Sequence, residues 1–190
     1  MNRTKNTLSR TAVLLFLTGN VAFSQTPNES DLSNTNSYYY NFLNGKMKSD
    51  KGDYDGSIIL LTKAIGLKPD AIDAYGLRGW AEYSKGDYDK AIADYSKCAE
   101  LQPDNFGCYM YRGWAKERKG DHDGAIADYS KIVQHEQKPT ELLVGAYYNR
   151  GCSKKAKGDL EGAVSDFNNL LELKPGEFLT NAAKKKNLMR

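Results

Sequence analysis

Arg78-Gly79-Trp80-Ala81-Glu82-Tyr83-Ser84-Lys85-Gly86-Asp87-Tyr88-Asp89 is written a second time as Arg112-Gly113-Trp114-Ala115-Lys116-Glu117-Arg118-Lys119-Gly120-Asp121-His122-Asp123. Looser copies flank the pair. Upstream stands Lys51-Gly52-Asp53-Tyr54-Asp55; downstream stand Arg150-Gly151-Cys152-Ser153 and Lys157-Gly158-Asp159-Leu160-Glu161. The glycine of each Lys-Gly-Asp falls at 52, 86, 120 and 158, in steps of 34, 34 and 38. Arg-Gly keeps the same offset before that glycine in three copies, so two independent markers hold one register. A fixed period of this length means stacked supersecondary units, each unable to bury its apolar face alone. The longer last step has its surplus between Gln134 and Leu143.

Each copy reads as two helices. Ala74 to Lys85 holds no proline and ends at Gly86, a residue able to take the left-handed conformation that closes a helix. Asp87 is placed to cap the next helix with its carboxylate. That helix carries Ala91, Tyr95 and Cys98 at helical spacing and stops at Pro103, which cannot continue the hydrogen-bond ladder. Pro69 and Pro175 close the first and fourth copies in the same way, while Pro139 of the third is displaced into the longer loop.

A helical hairpin of this period resembles the tetratricopeptide repeat. The resemblance rests on a small residue in the first helix (Gly45, Gly79, Gly113, Gly151), on Ala91, Ala125 and Ala163 early in the second, on Tyr95, Tyr129 and Phe167 four residues later, and on the closing proline. The first copy departs from it with Ser57 for alanine and Leu61 for the aromatic. The resemblance implies an all-α fold, a right-handed α-solenoid of stacked helix-turn-helix hairpins, with repeats at 38–71, 72–105, 106–139 followed by a loop at 140–143, and 144–177. It further implies a protein-binding role without catalysis.

The flanks read differently. Residues 1–24 combine Arg3, Lys5 and Arg10, an apolar run from Ala12 to Leu17 extended by Val21 to Phe23, and a small-residue exit before Gln25. Those are the parts of a cleaved secretory signal. The run is broken by Thr18-Gly19-Asn20 and is short for a spanning helix. The expected product is exported, periplasmic or extracellular, and not membrane-spanning. Residues 25–37 are polar and suit a flexible leader. Residues 178–190 place Phe178, Leu179, Ala182 and Ala183 opposite Lys184 to Lys186, as a helix capping the array would.

The formal charge of +3 resides in the signal segment; without Arg3, Lys5 and Arg10 there remain 24 bases and 24 acids. Bulk charge therefore gives no reason to expect nucleic acid. Cys98, Cys108 and Cys152 lack the close pairing of zinc or thioredoxin-like sites. Two readings stay open: three small buried apolar residues, or a Cys98 to Cys108 bridge formed in an oxidising compartment. His122 and His135 have no metal-ligand spacing around them, and no Lys-Gly-Asp has the surroundings of a phosphate loop. Neither an enzyme nor a cofactor is expected.

Two patterns concern interactions. Arg78 and Asp94, Arg112 and Asp128, and Arg150 and Asp166 share one spacing, while the first copy has Asn44 and Leu60 at those places. Charges present or absent together suggest a brace between the helices of a hairpin. As an exposed pair it would be worth about 1 kcal/mol or less. The second pattern is a first-helix face at i, i+4 and i+7. It collects Phe42, Lys46 and Ser49; Gly76, Trp80 and Tyr83; Met110, Trp114 and Glu117; and Tyr148, Cys152 and Lys155. The resemblance implies that this face lines a concave groove. Phe42, Trp80, Tyr83, Met110, Trp114, Glu117, Tyr148 and Lys155 are the candidate contacts for a protein or peptide. Relatives that grip an acidic C-terminal carboxylate carry lysines and asparagines there, whereas this face is aromatic, small or mixed in charge. An extended or helical segment with apolar anchors suits it better.

Overall fold

A computed structural model of the protein describes residues 34–136, 138 and 140–173. The signal segment, the leader up to residue 33, Pro139, Pro175 and the capping helix expected at 178–190 lie outside the described residues. Within them the chain forms helices only: α1 (Tyr38–Asp50), α2 (Tyr54–Leu67), α3 (Ile72–Lys85), α4 (Tyr88–Leu101), α5 (Phe106–Lys119), α6 (His122–His135), α7 (Glu141–Ala156) and α8 (Leu160–Leu173). No described helix is long and apolar enough to cross a membrane. Consecutive helices pair as hairpins, the stacked-hairpin plan of an α-solenoid, and the chain divides into two compact units, Met1–Tyr111 and Arg112–Arg190.

The Lys-Gly-Asp glycines make the hairpin turns. Gly52, Gly86, Gly120 and Gly158 have φ of +82°, +92°, +89° and +87°, the left-handed region where a side chain is strained. The aspartate that follows caps the second helix only in some copies. Asp53, Asp121 and Asp159 each accept from the backbone N–H three residues on, at 2.9 Å. Asp87 accepts no such bond, contrary to the sequence-based expectation. The cause stands at the donor residue. In the capping copies it is Gly56, Gly124 or Gly162, and a Cβ there would come within 2.2 to 2.5 Å of a carboxylate oxygen. In the second copy it is Lys90, which meets Asp87 through its ammonium at 3.3 Å instead.

Close approach inside each hairpin explains the other glycines. A Cβ on Gly79 would lie 3.1 Å from the Tyr95 ring, on Gly113 2.5 Å from Tyr129, on Gly151 2.8 Å from Phe167 and on Gly45 2.8 Å from Leu61. Each hairpin is thus a ring or leucine laid on a bare helix backbone. Ala91, Ala125 and Ala163 are buried beside that contact.

In the first unit, α2 packs between α1 and α3 over Phe42, Leu61, Ala64, Ala71, Ala74 and Leu77. Cys98, Ala99 and Cys108 form a further cluster with Ile72 and Tyr109. In the second unit Tyr129, Ile132, Leu143, Ala146 and Leu170 are buried. There the surplus residues between the third and fourth copies extend a helix rather than a loop. Thr140 caps α7 by accepting from Leu143 N–H at 3.2 Å, so that helix opens at Glu141.

The arginine braces form, and they are stronger than the exposed pairs expected. Arg78 Nε and Nη2 both donate to Asp94 at 2.7 Å; Arg112 and Arg150 grip Asp128 and Asp166 the same way at 2.6 to 2.9 Å. The carboxylates are nearly enclosed, with side-chain exposures of 8%, 4% and 1%. Removing one partner of such a buried pair strands a charge, which costs about 3–5 kcal/mol. Arg78 and Arg150 also stitch hairpins together. Arg78 Nη1 donates to Thr62 Oγ1 at 3.0 Å and Arg150 Nη1 to Ser130 Oγ at 3.1 Å, both on the preceding hairpin. In the first copy Asn44 bonds back to the Tyr40 carbonyl of its own helix.

Candidate functional site

The first-helix face differs between the units. In the first, Trp80 and Tyr83 lie one turn apart on α3 and stack with ring centroids 5.7 Å apart and planes at 18°. Tyr111, from the start of α5, meets Trp80 edge-on at 6.4 Å, and Tyr88, from the start of α4, meets Tyr83 edge-on at 5.6 Å. Trp80, Tyr83 and Tyr88 are half-buried, so this aromatic cluster keeps apolar surface outside the core. Tyr111 is buried and stacks on Tyr95 at 5.7 Å, and burial pushes both phenols well above their ordinary range.

Two other candidates of this unit go inward. Phe42 stacks on Tyr38 at 5.5 Å and belongs to the core, and Met110 is buried. Neither leaves much surface for a ligand to touch. Tyr111 and Tyr88, which complete the aromatic cluster, are outside the i, i+4, i+7 pattern. Tyr111 occupies a place held by Leu43 and Leu77 in earlier copies, and that exchange of leucine for tyrosine is the one sign of it in the sequence.

In the second unit Trp114 is half-buried, Tyr148 is 48% exposed and Lys155 is exposed. Tyr148 tilts over Phe167 at 6.3 Å, and the neighbouring Cys152 raises its phenol pKa. The Cys152 thiol is itself pushed up, chiefly by burial. Glu117 is engaged by the protein, accepting from Tyr129 Oη at 3.0 Å and from Ser153 Oγ at 2.5 Å. Its carboxylate links hairpins.

One buried acid escaped the sequence reading. Glu82 stands where the next two copies have Lys116 and Lys154. Those lysines pair with Asp128 and Asp166 at 2.9 and 3.0 Å. Glu82 instead lies near Asp94, and its Oε2 has no hydrogen-bond partner. Burial first, and the Asp94 charge second, push its carboxyl up to about 7. Among the described residues no group of three or more His, Cys, Asp or Glu is placed to hold a metal.

Comparison with known proteins fits this geometry. Tetratricopeptide-repeat family models match residues 72–105, 108–136 and 144–177, together more than half of the chain. The first hairpin lies outside these spans. A crystal structure of MamA superposes with a TM-score of 0.71 at 24% identity, covering 77% of this chain and 84% of that one. MamA from residue 41 onward, from Desulfovibrio magneticus RS-1, gives 0.68 at 18% identity over 75% and 78%. The first TPR domain of Spaghetti (RPAP3), bound to an HSP90 peptide SRMEEVD, gives 0.59 at 19% over 66% and 96%. Comparison with curated proteins gives no sequence match. At these identities the superpositions speak to the fold, and the repeat matches to descent: the chain belongs to the tetratricopeptide-repeat family.

Proposed function

We propose that the protein is a non-catalytic adaptor that holds a segment of another protein on its first-helix face, with Trp80 and Tyr83 as the principal anchor. The observation that carries this reading is the Trp80–Tyr83 stack, left half-buried by an otherwise tightly packed hairpin. Large aromatic side chains with apolar area outside the core are the residues on which binding energy concentrates. An acidic segment such as the SRMEEVD peptide bound by the RPAP3 domain suits this face poorly, because it offers aromatic rings in place of a lysine cluster. The signal-like N-terminus supports an exported protein acting in the cell envelope or outside the cell, and a disulfide between Cys98 and Cys108 is at home in such a compartment. Mass measurement of the N-terminus of the native protein tests export; a chain starting at Met1 argues against it.

A photo-crosslinking residue at Ser84, beside the anchor and outside it, reads the partner directly in the native cell. Capture is expected to vanish with Trp80→Ala and to weaken with Trp114→Ala, while helicity by far-UV circular dichroism stays the same. Undiminished capture in both variants moves the site elsewhere.

One observation favours a second reading, an assembly component working through the end of the array. Leu160, Val164 and Leu171 are 61%, 57% and 43% exposed along α8, an apolar stripe at helical spacing. Light scattering of the mature chain separates the readings, since a monomer at high concentration removes self-assembly.

A further inference from the structure

Cys98 near the end of α4 and Cys108 near the start of α5 are joined in a disulfide, with Cα atoms 5.9 Å apart and both residues buried. The bridge occupies a contact that the other junctions make without sulfur. Ala64 and Ala74 hold the same places between the first and second hairpins, and Ile132 and Ala146 between the third and fourth, all of them buried. Among the described residues, the junction carrying the aromatic face is the one that is covalent.

Its position relative to that face is specific. Cys98 follows Tyr95 by three residues and Cys108 precedes Tyr111 by three, so on each helix the sulfur and the ring lie on one side, a turn apart. Tyr95 and Tyr111 stack at 5.7 Å, Tyr111 meets Trp80 at 6.4 Å, and Trp80 stacks on Tyr83 at 5.7 Å. A run of ring contacts therefore leads from the tyrosines one turn away from the bridge to Trp80 and Tyr83. At the first junction, where the residues are Ala64 and Ala74, the place of Tyr111 belongs to Leu77 and no such run exists.

We propose that the Cys98–Cys108 disulfide is a positioning device for the Trp80 face: closed, it holds α5 in the register that sets Tyr111 against Trp80, and open, it lets Tyr111 shift and the face lose its ligand-ready form. Closure takes two electrons and two protons from the two thiols and passes them to a disulfide oxidant, which leaves as a dithiol. Opening is the reverse exchange with a dithiol reductant. Because both cysteines are buried, exchange requires the junction to part, so the state set at maturation persists. The inference rests on reading Trp80 and Tyr83 as the anchor.

Two arms test it separately from that reading. In a Trp114→Phe, Cys152→Ser chain Trp80 is the sole tryptophan and no third thiol can exchange. Reduction with a phosphine, verified by the mass of the alkylated chain, is expected to red-shift Trp80 emission and raise its quenching by acrylamide. A Cys98→Ala, Cys108→Ala variant, which copies the Ala64 and Ala74 contact, should give the reduced signal with unchanged far-UV circular dichroism. Identical emission in the oxidised, reduced and alanine forms overturns the proposal. For the second arm, a peptide is selected from a random library on the oxidised protein and kept only if Trp80→Ala abolishes its binding. That peptide should bind the reduced protein about tenfold more weakly; equal affinity overturns the proposal. A library that yields no Trp80-dependent peptide counts against the anchor alone, and the emission arm still decides the positioning.

Discussion

The second hairpin and the third share a plan and nearly a sequence, yet they settle their buried polar groups in opposite ways. In the third, Asp128 is held by Arg112 and Lys116, Tyr129 donates to Glu117, and Asp121 caps its helix. In the second, Asp94 has Arg78 but faces Glu82, the Tyr95 hydroxyl and Glu82 Oε2 are buried without hydrogen-bond partners, and Asp87 caps nothing. Three substitutions produce the contrast: Lys116 against Glu82, Glu117 against Tyr83, and Gly124 against Lys90. The exchange of Glu117 for Tyr83 removes an acceptor and creates the ring on which Trp80 stacks. The hairpin with the aromatic face is the one with the weaker polar interior, and a disulfide ties it to the third.

The largest expected effect breaks the better-satisfied side. Asp128→Asn leaves Arg112 and Lys116 facing each other without their counter-ion and should cost about 3–5 kcal/mol in urea unfolding. Asp94→Asn should cost distinctly less, because it also removes the charge that faces Glu82. Equal losses would show that Glu82 and Asp94 are not coupled. Next comes the bridge: reduction of Cys98–Cys108 frees the loop that the bridge closes in the unfolded chain and should lower stability by about 2–3 kcal/mol. An unchanged urea midpoint would mean that native packing alone holds that junction.

Glu82 makes the contrast depend on pH. Its carboxyl titrates at about 7 in the fold against an ordinary 4.5. The folded state therefore binds this proton more tightly than the unfolded chain does. The contribution is fully favourable below pH 4.5, is lost as pH rises through 7, and is flat above. The loss between pH 5 and pH 8 should be on the order of 1–2 kcal/mol, allowing for residual solvent screening. Glu82→Gln should abolish that slope, and Glu82→Lys, which rebuilds the third hairpin's arrangement beside Asp94, should make the protein more stable at pH 8. A slope that persists in Glu82→Gln belongs to another group.

How far the sequence could be read follows the same divide. Features that recur in register were legible: the hairpins, the left-handed glycines, the glycine under each ring, and the Arg–Asp braces, whose charges come and go together. What could not be read was whatever depends on a single copy's neighbours. The near-complete burial of Asp128 and Asp166 is a matter of tertiary packing that their spacing does not show, so the braces looked like exposed pairs. Phe42 and Met110 lie one turn before the place of Trp80 on the same face, and both are buried, which the spacing alone does not mark. Tyr111 reaches Trp80 across a junction that no local pattern marks.

The cap gives the smallest and cleanest difference. An aspartate preceding a helix stabilises it by accepting from an early backbone N–H, and losing it costs about 1 kcal/mol. Whether it can do so depends on the space beside the donor. At Gly124 the carboxylate of Asp121 sits where a Cβ would be, 2.2 Å from that ideal position, so a glycine there is what admits the capping rotamer. Lys90 has a Cβ, and Asp87 has turned aside to its ammonium. Asp121→Ala should therefore cost about 1 kcal/mol in urea unfolding, and Asp87→Ala a few tenths at most, the value of an exposed pair. Lys90→Gly should then make Asp87→Ala cost what Asp121→Ala does, even though glycine alone weakens the helix. If Asp87→Ala stays silent in that background, the missing cap has a cause other than the side chain at 90.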